Sequence, residues 1–313
     1  MEKRLPVVFL MGPTASGKTD LAVELTQCFP LDIVSVDSAQ VYRGMDIGTG
    51  KPGPEVLQRA PHRLIDILDP AESYSAGRFR EDALRAIEAI HGQGRIPLLV
   101  GGTMLYYRTL QYGVSQLPSA SPPVRRHLSK EAEAIGWEGL HARLARMDPK
   151  AAARIHPRDA QRIQRALEIH LLTGKTPTEL FSPPKAQLDY PIFKLVMAPS
   201  HRPALHRRIA LRFEGMLDEG LVEEVEGLYR RGDLDLERPA LRSVGYRQVW
   251  EYLQGKHRYF QMVERAIIAT RQLAKRQLTW LRKEEDARWF DSLDPLLGKK
   301  VKVWLAQKLI SIK

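Results

Sequence analysis

The 313-residue chain carries 48 Lys and Arg against 37 Asp and Glu, a formal net charge of +11, and one cysteine. A lone cysteine excludes an intramolecular disulfide and any multi-cysteine zinc site, and no run of 18 apolar residues is present to cross a membrane. The basic excess points to a polyanionic partner, the length to two domains at about 100–200 residues each, and the lack of a leader-like apolar segment to a cytoplasmic location.

The apolar run 7–11 reads as a first strand and leads into Gly12, Pro13, Thr14, Ala15, Ser16, Gly17, Lys18 and Thr19, a complete phosphate-binding loop. Its glycines let successive N–H groups turn toward an anion, Lys18 adds a point charge and Thr19 offers a hydroxyl to Mg²⁺. The helix that follows, with Leu21, Ala22 and Leu25 on one face, aims its positive end at the same anion. Cys28 ends that helix and is expected to pack in the interior. Further strands are predicted over 33–36, 64–68 and 96–100, with a Ser75-capped helix carrying Phe79, Ala83, Ile87 and Ile90 between the last two. This alternation predicts a doubly wound parallel α/β sheet of the P-loop NTPase-like class.

The second strand runs into Asp37, at the carboxyl edge of the sheet beside the loop, where ligands of such folds bind. Three roles are open to that carboxylate: a Walker-B-type group near Mg²⁺, a general base, or a helix N-cap. The fourth strand ends in Gly101-Gly102-Thr103. The small residues admit a substrate, and Thr103 can donate to a phosphate oxygen or cap a turn. No acid stands there, which makes a water-activating NTPase unattractive.

Composition changes over the Pro- and Ser-rich residues 117–123, and no strand pattern returns until 192–197. Residues 118–191, including a Pro-rich loop at Ser182-Pro183-Pro184, therefore read as a helical insertion in a core made of 1–117 and 192–313. Arg158, Arg162 and Arg165, and later Arg208 and Arg212, recur at helical spacing, as solvated faces or phosphate contacts both would. Over 259–282, Val263, Ile267, Thr270, Ala274, Leu278 and Leu281 form a packing face, with Arg271, Lys275 and Arg282 as an adjoining basic ridge. Tyr106, Tyr107 and Tyr246 suit either base stacking or core packing. The histidines show no metal-ligand spacing, His62 among them reading as surface or packing, and the tail from Trp289 carries no motif.

Segments 12–19, 37–49, 101–107, 161–165, 243–248 and 269–277, in this order and spacing, make the chain similar to the bacterial tRNA dimethylallyltransferase (tRNA isopentenyltransferase) family up to about residue 290. Gly50 stands where many members carry Ala. The resemblance implies transfer of the dimethylallyl group from dimethylallyl diphosphate to N6 of the adenosine immediately 3′ of the anticodon in tRNA, with release of diphosphate. It implies that residues 12–19 hold the diphosphate, with Mg²⁺ at Thr19. Lys18, Thr103 and Arg212 would stabilise the leaving group, and Asp37 would take the amine proton. Asp37, Ser38, Ala39, Gln40, Thr103, Arg125, Gln161, Arg162, Ile163, Gln164, Arg165, Arg242, Ser243, Val244, Gly245, Tyr246 and Arg247 are then expected to face the anticodon stem-loop, with the target adenine extruded from its stack. Neither a membrane, an obligate protein partner nor a further metal is implied. Two other classes compete: a small-molecule kinase taking phosphoryl from ATP, and a nucleic-acid-binding protein without catalysis.

Overall fold

Alternation of side chains along the strands sorts the core into two layers. In β1 (Val7–Met11), buried throughout, Val7, Phe9 and Met11 join one apolar cluster while Val8 and Leu10 join another. The same period of two sends Leu99 of β4 (Ile96–Gly101) to the first cluster and Leu98 and Val100 to the second, as in parallel strands covered on both faces. With β2 (Leu31–Val36), β3 (His62–Arg63), β5 (Ile192–Ala198) and β6 (Arg288–Asp291) they make a six-stranded parallel sheet in the order β3-β2-β4-β1-β5-β6. The computed structural model describes residues 4–113, 117–180 and 187–311, so the predicted loop at Ser182-Pro183-Pro184 lies outside the described residues.

The face of Val8 and Leu10 is covered by α1 (Lys18–Cys28) and α13 (Leu297–Ile310). The opposite face packs against α3 (Ala76–His91), α4 (Met104–Tyr112), α10 (Leu221–Arg230), α11 (Tyr246–Leu253) and α12 (Tyr259–Leu281). Ser75 caps α3 by accepting from the Arg78 N–H at 3.1 Å. α9 (Arg202–Asp218) meets α12 through Leu205, Ile209 and Ala274, and α2 (Pro54–Arg59) is a short connector. No helix among the described residues is long and apolar enough to cross a membrane.

The chain divides into two compact units, residues 1–111 with 188–313, and residues 112–187. In the second, α5 (Pro122–Met147, kinked at Gly136), α6 (Pro149–Ala152), α7 (Ala160–Thr173) and α8 (Pro177–Leu180) enclose a small core of Leu128, Leu140, Leu144, Ile163, Ala166 and Leu167. At its centre Glu168, 0% exposed, accepts from Arg125 Nε and Nη2 at 2.9 and 3.2 Å, Arg165 Nη1 at 2.6 Å and the Ser121 N–H at 2.8 Å. Burial pushes this carboxyl up, but the bonds from Arg125, Arg165 and Ser121 outweigh it and hold it below its usual range. A carboxyl so lowered contributes stability above the ordinary carboxylate range and loses it as pH falls through its folded value. Glu168→Gln is expected to lower unfolding stability by on the order of 3 kcal/mol at pH 7 and to flatten the acid limb of the pH–stability curve, read by urea denaturation. An acid limb identical to wild type would contradict this.

Three local expectations are corrected. None of the predicted strand 64–68 pairs with β2; His62 and Arg63, just before it, do, and Leu64 (φ 64°) and Asp66 (φ 55°) then turn left-handed, leaving a lone bridge between Tyr42 and Leu68. Lys51 pins that turn, donating to the Tyr42 carbonyl at 2.9 Å and pairing with Asp46 and Asp66. β6 occupies the tail in which no motif was legible, paired with β5 from Leu195↔Arg288 to Ala198↔Asp291. Cys28 is exposed, because Leu25 is the last residue of α1 to reach the sheet.

Candidate active site

β1 ends at Met11 and the chain doubles back into α1 through a loop that a side chain at one position would strain: Gly17 has φ 87°, in the left-handed region that costs other residues about 1–2 kcal/mol. The loop leaves backbone N–H groups at the start of α1, the arrangement that binds anions. Lys18 Nζ curls over it, donating to the Pro13 carbonyl at 2.7 Å and to Ser16 Oγ at 3.4 Å. Burial and the charge of Arg212 push the Lys18 ammonium down to about 7, with Asp37 pulling the other way. Arg212, on α9, reaches Thr14 Oγ1 at 3.3 Å and the Thr49 carbonyl at 3.4 Å. Burial lowers its own pKa and Asp37 opposes the shift.

Asp37 follows β2 directly. Its Oδ1 accepts from the N–H groups of Ala39 at 2.8 Å and Gln40 at 3.3 Å, which fixes the turn. Its Oδ2 has no hydrogen-bond partner among the described residues. The capping role is thus real but belongs to a turn, since no helix follows, and it occupies only one oxygen. Thr103 Oγ1 accepts from the Ser38 N–H at 3.2 Å and ties the ends of β2 and β4 together.

One functional side chain went unrecognised in the sequence. Gln277 of α12 accepts from the Thr14 N–H at 2.9 Å through Oε1 and donates to the Gly102 carbonyl at 3.0 Å through Nε2, bridging the phosphate-binding loop and the Gly-Gly-Thr turn. A Cβ on Gly102 would lie 2.3 Å from Gln277 Nε2, so glycine is required for this approach. The signal was present: Gln277 lies a heptad after Thr270, a polar residue on the packed side of an amphipathic helix. His62, expected as a surface or packing residue, borders the small polar space beside the loop. Its Nδ1 donates to the Ala60 carbonyl at 2.7 Å and burial lowers its pKa, so the neutral ring keeps Nε2 as an acceptor.

These groups surround two confluent spaces. The smaller, about 80 Å³, is polar and bounded by Lys18, Thr19, Gln40, His62 and Arg212. The larger, about 460 Å³, has Phe213, Met216 and Trp280 among its walls. Asp37, Thr14, Thr49, Gly102, Arg212 and Gln277 line both. An anion seated in the loop would therefore place whatever it carries at Asp37 and in the larger, partly apolar space.

Ser38, Ala39, Thr103, Arg242, Ser243, Val244 and Gly245 also line the larger cavity. Arg242 is braced there by the Leu236 carbonyl at 2.9 Å and Glu237 at 2.8 Å, and Arg247 pairs with Glu251 at 2.9 Å. Tyr246 is corrected: its ring is 0% exposed and its hydroxyl donates to Glu224, which also holds the N–H groups of Asp46, Ile47 and Gly48, so the side chain builds the wall without stacking on a base. Tyr106 stacks on Phe79 at 4.3 Å, and Tyr107 donates to the Leu10 and Leu99 carbonyls at 3.1 and 3.0 Å, both buried in the core. In the other unit, Gln161 and Arg162 are exposed, with Arg162 3.4 Å from Asp159. Gln164 bonds the Arg125 carbonyl at 3.2 Å and Ser129 Oγ at 3.1 Å. Ile163 is corrected to a core residue at 0% exposure, while Arg125 and Arg165 are committed to Glu168.

A model of the IPP transferase family matches residues 40–284, and one of isopentenyl transferases matches residues 5–67. The chain belongs to the IPP transferase family. Among curated relatives of this IPP transferase, a tRNA dimethylallyltransferase of Thioalkalivibrio sulfidiphilus is 62% identical over 278 residues, covering 88% of this chain and 87% of that protein. One of Alkalilimnicola ehrlichii is 61% identical over 279 residues, covering 89% and 88%. Among solved structures, the full-length tRNA isopentenylpyrophosphate transferase of Bacillus halodurans superposes with a TM-score of 0.72 at 36% identity, covering 99% of this chain and 98% of that one. A eukaryotic dimethylallyltransferase acting on tRNA gives a TM-score of 0.80 at 28% identity, covering 98% of this chain and 80% of that one. None of these relatives is a kinase, and the phosphoryl-transfer alternative has no support.

Proposed function

We propose that this chain transfers the dimethylallyl group from dimethylallyl diphosphate to N6 of the adenosine immediately 3′ of the anticodon in tRNA, releasing diphosphate. The observation that carries the reading is the placement of Asp37, with one oxygen holding its turn and the other open, on the wall shared by the small anion pocket and the larger partly apolar cavity. The small pocket suits the diphosphate; the larger suits a branched five-carbon chain and an extruded adenine. Extruding the base costs a few kcal/mol and places its Watson–Crick edge within a protein pocket.

The N6 lone pair attacks the allylic carbon, the carbon–oxygen bond breaks, and diphosphate leaves with the electron pair. Asp37 Oδ2 accepts the proton that N6 loses. The backbone N–H groups of the loop, Lys18, Arg212 and the Thr103 hydroxyl stabilise the charge that grows on the departing oxygens, an effect worth about 10²–10³ in rate per donor in comparable anion sites. Gln277 keeps the loop and the Gly-Gly-Thr turn in register during the step.

The described residues contain no cluster of three or more His, Cys, Asp or Glu, so they offer no dedicated metal cage. The small pocket, with the Thr19 hydroxyl on its wall, fits Mg²⁺, which takes one or two protein oxygens and completes its shell with phosphate oxygens and water, leaving Asp37 free to act as base. When bound there, it would neutralise diphosphate charge. Ser38, Ala39, Arg242 and Ser243, which line the larger cavity, would contact the extruded nucleotide, and the exposed Gln161 and Arg162 would contact backbone phosphates. The protein acts without an obligate protein partner.

Incubation with unmodified tRNA and dimethylallyl diphosphate, with no ATP or GTP, is expected to yield N6-dimethylallyl-adenosine and one diphosphate per modification, read by nucleoside mass spectrometry. No product without nucleotide, or ADP formation when ATP is supplied, would overturn the assignment.

A further inference from the structure

Between β2 and α2, the turn over residues 46–50 is gripped by one carboxylate. Glu224, on α10, accepts from three consecutive backbone N–H groups, those of Asp46 at 2.9 Å, Ile47 at 2.8 Å and Gly48 at 3.2 Å, and from the Tyr246 hydroxyl. Four donors converge on its two oxygens, an arrangement that an ionised carboxylate satisfies in full. Burial and the facing charge of Glu224 push the Tyr246 hydroxyl well up, so it stays a donor. A Cβ on Gly48 would lie 2.5 Å from the Tyr246 ring, so the turn is pressed against α11 as well as bonded to α10.

The next residues of the same turn belong to the catalytic site. The Thr49 carbonyl accepts from Arg212 Nη2 at 3.4 Å and the Gly50 carbonyl from Gln40 Nε2 at 3.3 Å, and Thr49 lines both catalytic spaces. Besides Thr49, Arg212 bonds only Thr14 Oγ1 among the described residues, at 3.3 Å. Both of its contacts are long, so the direction of the guanidinium depends on where those two oxygens stand. Glu224 itself is not among the walls of either space.

We infer that Glu224 is a positioning residue for the reaction: by fixing residues 46–48 it sets the Thr49 carbonyl that holds Arg212 over the phosphate-binding loop before the diphosphate arrives. The inference rests on the reading above, in which Arg212 meets the diphosphate. Once the diphosphate is bound, its own charge holds the guanidinium in place. The contribution of Glu224 is therefore made at binding, as preorganisation of a donor, and is absent from the chemical step.

Glu224→Gln tests this, because the amide keeps the size of the side chain but turns an NH₂ group toward backbone N–H donors. The KM for dimethylallyl diphosphate and the dissociation constant of inorganic diphosphate, read by calorimetry, are both expected to rise about tenfold, as they would if Arg212 stood ready in about one molecule in ten. By contrast, kcat and the KM for tRNA stay within about threefold of wild type, a split that general loosening of the fold would not give. In an Arg212→Ala background the same substitution changes diphosphate affinity by less than about twofold, since the group it positions is already gone. Tyr246→Phe removes one of the four donors, keeps the ring against Gly48, and moves the same two constants in the same direction by about threefold. If Glu224→Gln does not fold, as judged by circular dichroism, Tyr246→Phe carries the cycle with Arg212→Ala alone. A loss that persists undiminished in the Arg212→Ala background, an equal rise in the KM for tRNA, or wild-type diphosphate affinity in both variants overturns the inference. Coupled diphosphate binding without dimethylallyl product from the wild type supports the seat of Arg212 and overturns the transfer reading instead.

Discussion

Asp37→Asn is expected to slow dimethylallyl transfer by at least about a hundredfold while tRNA binding persists. Asparagine isolates the chemistry because its Oδ1 can still accept from the Ala39 and Gln40 N–H groups that Asp37 holds at 2.8 and 3.3 Å. The turn stays, and only the proton acceptor at the open oxygen is removed. A second consequence has to be separated from this one. The negative charge of Asp37 supports the Lys18 ammonium, so its loss drives the lysine further toward the neutral form. Single-turnover rates at pH 6 with dimethylallyl diphosphate bound, whose negative charge restores the support for the ammonium, therefore read chiefly the loss of the base. A rate within about tenfold of wild type at that pH would remove Asp37 from the role of base.

Lys18→Ala is expected to cost about 10²–10³ in kcat/KM for dimethylallyl diphosphate, the scale of losing one preorganised donor to a developing oxyanion. Its pH signature is more specific than its size. In the free protein the ammonium is pushed down to about 7 by burial and Arg212. A bound diphosphate favours the charged form, so above pH 7 binding must take up a proton, and below it the proton is already present. Diphosphate affinity is therefore flat in this respect below about 7 and falls by up to tenfold per unit above it. Calorimetry at pH 8 in two buffers of different ionisation enthalpy should find close to one more proton taken up by wild type than by Lys18→Ala. Equal uptake by both would show that Lys18 does not recharge on binding.

What could be read from the sequence was what is decided within a few residues. The loop from Gly12 to Thr19, the strands around it and the Ser75 cap each depend on local spacing, and each stands where its pattern put it. The failures share a different cause. β6 is a short edge strand whose Arg288 and Trp289 are exposed, so no hydrophobic pattern marks it, and only pairing with β5 makes it a strand. The 64–68 run is apolar enough for a strand, yet a lysine supplied from Lys51 fixes it as a turn. Tyr246 and Ile163 sit in functional-looking neighbourhoods, but burial is a property of the packed whole and placed both inside. Asp37 was legible as an edge carboxylate; that one of its oxygens is committed and the other open was not.

The bridge made by Gln277 ties together residues 263 positions apart in the chain. At about 5–20 residues per second of synthesis, the phosphate-binding loop would wait on the order of 10–50 s after leaving the ribosome before its partner emerged. β1 meets the same delay in milder form, since one of its two sheet neighbours is β5. The newborn chain therefore holds an exposed anion loop with an unfinished strand edge until β5 and then α12 emerge. Its catalytic cavity can be completed only once α12 has emerged, so chains arrested before α12 would carry the phosphate signature without the means to act on it.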